Sequence, residues 1–327
     1  MNINDSNNPD PSPKGGVRGG LNINFMESVG YHILGGIVTI IVAFTVGLTY
    51  MGLSRKITAR IQNRKGPPFY QNFIDALKLA SKESAIHHGF MQHAGPAFLM
   101  VSSILSVLVI PVLNNGNWFP NLNFNGDLIF LIYIMVFGSL GMALGAGQTG
   151  NPNSVIGVTR GLSQMVGFEI PWVMALVAIM VQYQTTSIVD LLEVQQTGGW
   201  LMFSSPFAFI AGVMAMLGMF RYSPFDIVSA PTELASGPAS ENGGKYLFTM
   251  MSSGSIFAFA KLVLYVDLFL GGASNLVELL VKTFAIYMIP MLYGVVSPRY
   301  RTEQSIQYFW GWPLFFGFLA LIHALAF

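Results

Sequence analysis

Eight apolar runs, each of roughly twenty residues, leave this chain few ways to fold. They are Tyr31–Leu53, Gly95–Leu113, Leu128–Gly145, Val155–Val181, Leu201–Phe220, Leu247–Leu270, Leu276–Val296 and Trp310–Phe327. Inside a bilayer the backbone must satisfy its own hydrogen bonds, and about twenty apolar residues suffice for a helix to cross. The expected fold class is an all-α polytopic membrane protein of about eight transmembrane helices. Composition agrees, since 53% of the 327 residues are hydrophobic and only 9% charged, against roughly a quarter charged in soluble domains. A single membrane domain is expected over 28–327, with no internal repeat. Residues 1–27, rich in Asn, Pro, Gly and Ser and without the apolar stretch of a signal peptide, are expected as a disordered tail.

The connections sort by charge. Those after the first, third, fifth and seventh runs hold or adjoin Arg55, Lys56, Arg60, Arg64, Lys65, Lys78, Lys82, Arg160, Arg221, Lys245, Arg299 and Arg301. Those after the second, fourth and sixth contain no Lys or Arg, only Asp127, Asp190 and Glu193 as charges. Because Lys and Arg accumulate on the cytoplasmic side, both termini are expected outside, with cytoplasmic loops 54–94, 221–246 and 297–309. Lys14 and Arg18 run against the rule but are outnumbered. The location expected is a prokaryotic cytoplasmic membrane.

Several chemistries are excluded. With no cysteine, the chain holds no disulfide, no cysteine-ligated zinc and no iron–sulfur cluster. His87, His88 and His93 fall in a polar connection, while His32 and His323 lie near opposite ends, so a histidine-held cofactor is not expected. A net charge of +1 argues against nucleic acid as a partner.

The connection Ser54–Glu83 looks ordered. On an ideal helix Phe73, Leu77 and Ala80 fall within about 60° of one another, with Asp75, Lys78 and Lys82 opposite. Such a segment lies in the membrane interface with its charges toward the cytoplasm. A snorkelling surface helix and a protein-docking surface both fit that pattern; the stiff Gly66-Pro67-Pro68 break before it favours docking.

Of the chain's 15 acidic residues, Asp226, Glu233 and Glu241 crowd into sixteen positions among prolines and glycines. Carboxylates gathered in a loop at a membrane boundary suit ion handling or docking. Glu169 lies deep in the fourth run, where an ionised carboxylate must be paired, wet or protonated. Arg160 and Gln164 share a helix face while Glu169 points nearly opposite Arg160, so those two are not expected to pair. Lys261 and Asp267 fall in the sixth run. Glu278 and Lys282 in the seventh are spaced for an intrahelical ion pair.

The ordered motifs carry a resemblance. R-K-x-x-A-R-x-Q-x-R-x-G-P from Arg55 to Pro67 is followed by D-x-x-K-L-x-x-K-E from Asp75 to Glu83 and R-G-L-S-Q-M-V-G-F-E-I-P from Arg160 to Pro171. P-F-D at Pro224–Asp226, E-L-A-S-G at Glu233–Gly237 and P-R-Y-R-T-E-Q at Pro298–Gln304 complete the set. Together they resemble the NADH dehydrogenase subunit 1 family, a membrane-embedded component of respiratory complex I, from the first apolar run onward. In two places the chain departs from complex I and is similar to the membrane anchors of energy-converting nickel–iron hydrogenases and related sulfur-reducing complexes. G-P-P-F-Y-Q runs on without the usual insertion, and G-P-A-S-E replaces the usual G-F-N-x-E, with Ser229 and Pro231 in place of two acids and Asn242 in place of tyrosine.

What the resemblance implies is a membrane-anchoring, coupling subunit of a redox-driven ion-pumping oxidoreductase. Its partners would be hydrogenase-like large and small subunits, an iron–sulfur subunit and antiporter-like membrane subunits. The nickel–iron centre and iron–sulfur clusters would be theirs, with no cofactor here. Glu169, Asp226, Glu233, Glu241, Lys261, Asp267 and Lys282 are the candidate ion relay. Arg55, Lys56, Arg60, Arg64, Lys65, Asp75, Lys78, Lys82, Glu83, Arg299, Arg301 and Glu303 are the candidate interface with the redox arm. Two alternatives stand beside it: a quinone-chamber subunit of NADH-quinone oxidoreductase, and a freestanding transporter, which would carry internal repeats.

Overall fold

The computed structural model describes residues 17–84, 89–114, 119 and 122–326, with side chains from Gly30 onward. His87 and His88 lie outside the described residues, as does most of the expected tail. Among the described residues every regular element is helical. They are α1 (Val17–Ile61), α2 (Gln71–Ser81), α3 (Phe90–Val109), α4 (Asp127–Gly147), α5 (Pro152–Tyr183), α6 (Ile188–Gly198), α7 (Leu201–Ser204), α8 (Pro206–Phe220), α9 (Pro231–Leu234), a 3₁₀ turn (Gly237–Ala239), α10 (Gly244–Phe269), α11 (Leu276–Val296), α12 (Thr302–Trp310) and α13 (Trp312–Ala326).

Among the described residues seven helices are long and apolar enough to cross a membrane, α12 and α13 counting as one. The fifth expected run is split. It breaks at Ser205, because Pro206 has no backbone N–H to continue α7 and is suited to open a new helix. What remains, α8, is an apolar helix of 15 residues, about 22 Å long. α1 begins inside the segment 1–27 and runs past Leu53 to Ile61. Arg55, Lys56 and Arg60 therefore stand on the end of a helix and not in a loop. His93, expected in a connection, sits in the first turn of α3 with its ring edge-on to Tyr246.

Helix packing uses small residues where water gives no help. A Cβ on Gly95 of α3 would lie 2.6 Å from Gly141 O and 2.6 Å from Gly145 Cα of α4, so the two backbones meet nearly in contact. α10 runs through the middle, packed against α1, α3, α11, α2 and α6. α2 lies across the basic end of α1 and α10 on a face the hydropathy pattern does not single out. Asn72 and Ala76 are its buried residues, Asn72 donating to Leu48 O at 3.3 Å, while Leu77 is 73% exposed. Of the expected apolar stripe, Leu77 faces away from the protein while Phe73 and Ala80 are half-buried. α6, at the opposite end, is a further element for which no helix was expected.

Candidate functional site

The motifs that are far apart in sequence meet at the basic end of the bundle. Phe225 of P-F-D is fully buried and packs against Tyr300, Tyr308 and Phe309. That aromatic anchor fastens the acidic loop to the segment after α11, helped by Tyr300 N donating to Pro224 O at 2.9 Å and Ser223 Oγ to Ser297 O at 2.8 Å. Gln164 of α5 donates to Phe225 O at 2.8 Å, tying in the third motif.

Charges follow the anchor. Arg299 Nη2 lies 3.4 Å from Asp226 Oδ2 and Arg299 Nη1 lies 3.7 Å from Glu233 Oε1. Arg160 Nη1 holds the other Glu233 oxygen at 3.0 Å. Ser229 donates to Asp226 Oδ1. Arg160, Glu233 and Arg299 border a polar pocket of about 530 Å³ with Tyr300, Arg301 and Glu303, and Asp226 stands behind Arg299. The loop reaches this geometry through left-handed residues at Ala235 and Ser236 and at Gly237, where a Cβ would sit 2.4 Å from Val228 O. Only glycine fits that approach. Glu241 is not among the residues lining the pocket. It lies beyond the 3₁₀ turn, beside Asn242, which is buried and donates to Pro238 O at 3.0 Å.

Arg299, expected from sequence at the interface with the redox arm, is three-quarters buried and serves as an internal tie. Exposed residues on the same end do remain, namely Arg55, Arg60, Arg64, Lys65, Lys78, Lys82, Glu83, Arg301 and Glu303, with Lys56 half-buried. Arg55 also lies 3.7 Å from Asp75, which joins α1 to α2.

Deeper in the bundle, Glu169 of α5 and Lys261 of α10 line one small cavity of about 30 Å³, together with Arg221 and Ser139. Each acts on the other electrostatically. Lys261 Nζ donates to Met219 O at 3.2 Å and sits 4.8 Å from the Phe257 ring centroid. Arg160 pairs with Glu233 and not with Glu169, in keeping with the helix-face argument. Sequence reasoning missed Arg221, which caps α8 in a left-handed conformation and borders three adjoining cavities. Its field reaches both Asp226 and Lys261. The available signal was a lone arginine closing an apolar run five residues before Asp226. The remaining candidates, Asp267 and Lys282, lie at the other end of α10 and, with Glu278, in the first turns of α11.

Beside Arg221 and Lys261 opens a larger cavity of about 400 Å³, lined by Met51, Met142, Met250, Met251 and Tyr287 among others. No group of three or more His, Cys, Asp or Glu among the described residues is arranged to hold a metal ion.

This architecture has a counterpart among solved structures. A chain of the membrane-bound sulfane sulfur reductase, an archaeal respiratory membrane complex, superposes with a TM-score of 0.85 at 33% identity, covering 89% of this chain and 99% of that one. The NADH dehydrogenase family model matches residues 34–325. The chain belongs to the NADH dehydrogenase subunit 1 family. Family relatives include the H subunit of the F(420)H(2) dehydrogenase of Methanosarcina mazei, 28% identical over 312 residues with 84% of this chain and 87% of the relative covered. The H subunit of the NADH-quinone oxidoreductase of Geobacillus kaustophilus is 24% identical over 294 residues, covering 84% and 88%. This family member is accordingly a multi-pass membrane subunit of a complex I-related complex.

Proposed function

We propose that this subunit anchors a cytoplasmic redox arm, hydrogenase-like in its large and small subunits, and couples its turnover to ion movement through the membrane arm. The observation that carries the proposal is the way Arg221 stands between two charged sets. On one side is the Asp226–Arg299–Glu233–Arg160 network at the loop surface, and on the other the Glu169–Lys261 pair within the bundle. A shift of charge or position at the surface network changes the field at Arg221, and with it the balance between Glu169 and Lys261. In the orientation favoured by the basic connections, the shorter α8 is an eighth crossing, both termini are outside and the network faces the cytoplasm. The docking surface combines Arg55, Arg60, Arg64, Lys65, Lys78 and Lys82 with the exposed aromatics Phe69 and Tyr70, of which the arginines and aromatics are residue types enriched at protein interfaces. Nickel–iron and iron–sulfur chemistry belongs to the partner subunits.

Two experiments test the parts separately. Reversing Arg64, Lys78 and Lys82 to Glu is expected to release the soluble arm at salt concentrations the native complex survives, with the membrane subunits still together; an arm that co-purifies at normal yield refutes the docking surface. Glu169→Gln, assayed in proteoliposomes, is expected to lower the ion-to-electron ratio or the turnover rate while the complex stays assembled. Wild-type values for both would mean that ions cross elsewhere.

A quinone-chamber reading has one observation in its favour, the 400 Å³ methionine-lined cavity opening toward Arg221 and Tyr287. Reduction of added quinone by the purified complex, lost when the cavity is filled by Gly254→Phe, would favour that reading. Turnover with sulfur or protons as acceptor and no response to quinone favours the hydrogenase-like one.

A further inference from the structure

The Glu169–Lys261 pair accounts for only part of the charge inside the bundle. Near the end of α10 away from the basic connections, Asp267 is 1% exposed, and neither of its carboxyl oxygens has a hydrogen-bond partner among the described residues. Its place is fixed by the backbone. Gln195 of α6 donates to Asp267 O at 2.6 Å, and the same amide's oxygen accepts from Gly271 N at 2.9 Å. The carboxyl group is thus held where it is, with no hydrogen-bond partner among the described residues.

The charge that acts on Asp267 is the Lys282 ammonium of α11. That ammonium is itself fully engaged by oxygen. Glu278 Oε1 lies 2.7 Å from Nζ, Leu270 O 2.9 Å and Gly272 O 2.7 Å, one acceptor for each N–H. The carbonyls are turned inward by the left-handed glycines Gly271 and Gly272, and the Trp200 ring lies 5.2 Å from Nζ. The other Glu278 oxygen is held by Ser274 N at 2.9 Å and Ser274 Oγ at 2.7 Å. Exposure falls in sequence from the Glu278 side chain at 37% to Lys282 at 16%, then to buried Asp267. An acid, a base and an acid therefore lead from the surface to an unsatisfied carboxyl group.

An ionised carboxylate left unpaired in a low-dielectric interior is costly. While Lys282 is committed to Glu278 and the two carbonyls, Asp267 has to carry a proton. The lysine stem is long and flexible, and its ammonium already acts on Asp267 electrostatically. We propose that Asp267 is a proton-binding site on the outward half of this subunit, loaded while Lys282 is caged and emptied when Lys282 turns toward it. Emptying breaks the carboxyl O–H bond, leaves its electron pair on the carboxylate, and hands the proton to water on the outer side; no electron moves. The inference rests on the coupling role and orientation proposed above, and it gives the subunit a way out for protons that does not use the surface network.

The test is infrared difference spectroscopy of the assembled complex in proteoliposomes, with and without turnover, alongside the ion-to-electron ratio. Turnover is expected to bleach a protonated-carboxyl C=O band that shifts on carbon-13 aspartate labelling. The band is expected to be missing in Asp267→Asn, together with a lowered ratio, and to be present but unresponsive in Lys282→Gln. Spectra of Asp267→Asn and wild type that coincide would overturn the site, and a Lys282→Gln band that still bleaches would overturn the role of the lysine. If Asp267→Asn does not assemble, the labelled wild type and Lys282→Gln decide the matter, because both retain the acid. A responsive Asp267 band beside a silent Glu169→Gln would sink the inner relay and leave this site standing.

Discussion

Arg299 shows how much one side chain can hold. It reaches Asp226 and Glu233 and also donates to Thr232 Oγ1 at 3.3 Å. Replacing it with Gln removes the charge and leaves a three-quarters buried Asp226 carboxylate with Ser229 as its remaining partner. A loss on the order of 1–3 kcal/mol is expected from that group alone, read as a lower melting temperature of the purified complex and faster hydrogen exchange in 224–237. Arg160→Gln should cost less, since Glu233 is 55% exposed and solvent screens the pair. Equal effects from the two variants would show that burial is not what sets the strength of this network. None of it was legible in the sequence, because a pairing across 73 residues leaves no local trace. The intrahelical Glu278–Lys282 pair was legible, being a matter of spacing four.

At the scale of elements, hydropathy located every spanning helix, because length and apolarity are the properties the bilayer selects. It failed where a helix turns on something else. α6 is short and caps the bundle through Leu191, Leu192 and Gln195, so its pattern did not stand out from a polar connection. α2 was recognised as amphipathic, but its protein-facing side is Asn72 and Ala76, chosen by fit against α1 and not by greasiness. The α3–α4 contact follows the same rule of close fit. Gly95→Leu would drive a side chain into the backbone of α4 and is expected to destabilise the fold by about 1–3 kcal/mol. The measurement is the fraction of monodisperse protein recovered in detergent as temperature rises. A variant as stable as wild type would mean that the two helices can part at no cost.

For the whole molecule, the charge asymmetry of the connections favours an orientation with both termini outside. A chain without cysteine makes the check direct. Ser81→Cys places a thiol at an exposed position at the end of α2. Impermeant maleimide should label it only after the cells are opened, and labelling in intact cells would invert the topology and the docking face with it.

α1 joins that face to the bilayer without a break. It is one helix of 45 residues, and Arg55 and Arg60 ride on its last two turns. At about 1.5 Å per residue those turns overhang the expected end of the span, Leu53, by roughly 12 Å. Such a rod cannot be tilted at one end alone. When α1 leans to match a thinner hydrocarbon layer, its tip sweeps sideways and sinks toward the headgroups. The segment 297–309 is carried on α11 and α12 and need not follow. Membrane thickness would in this way set the spacing between the two halves of the docking surface proposed above.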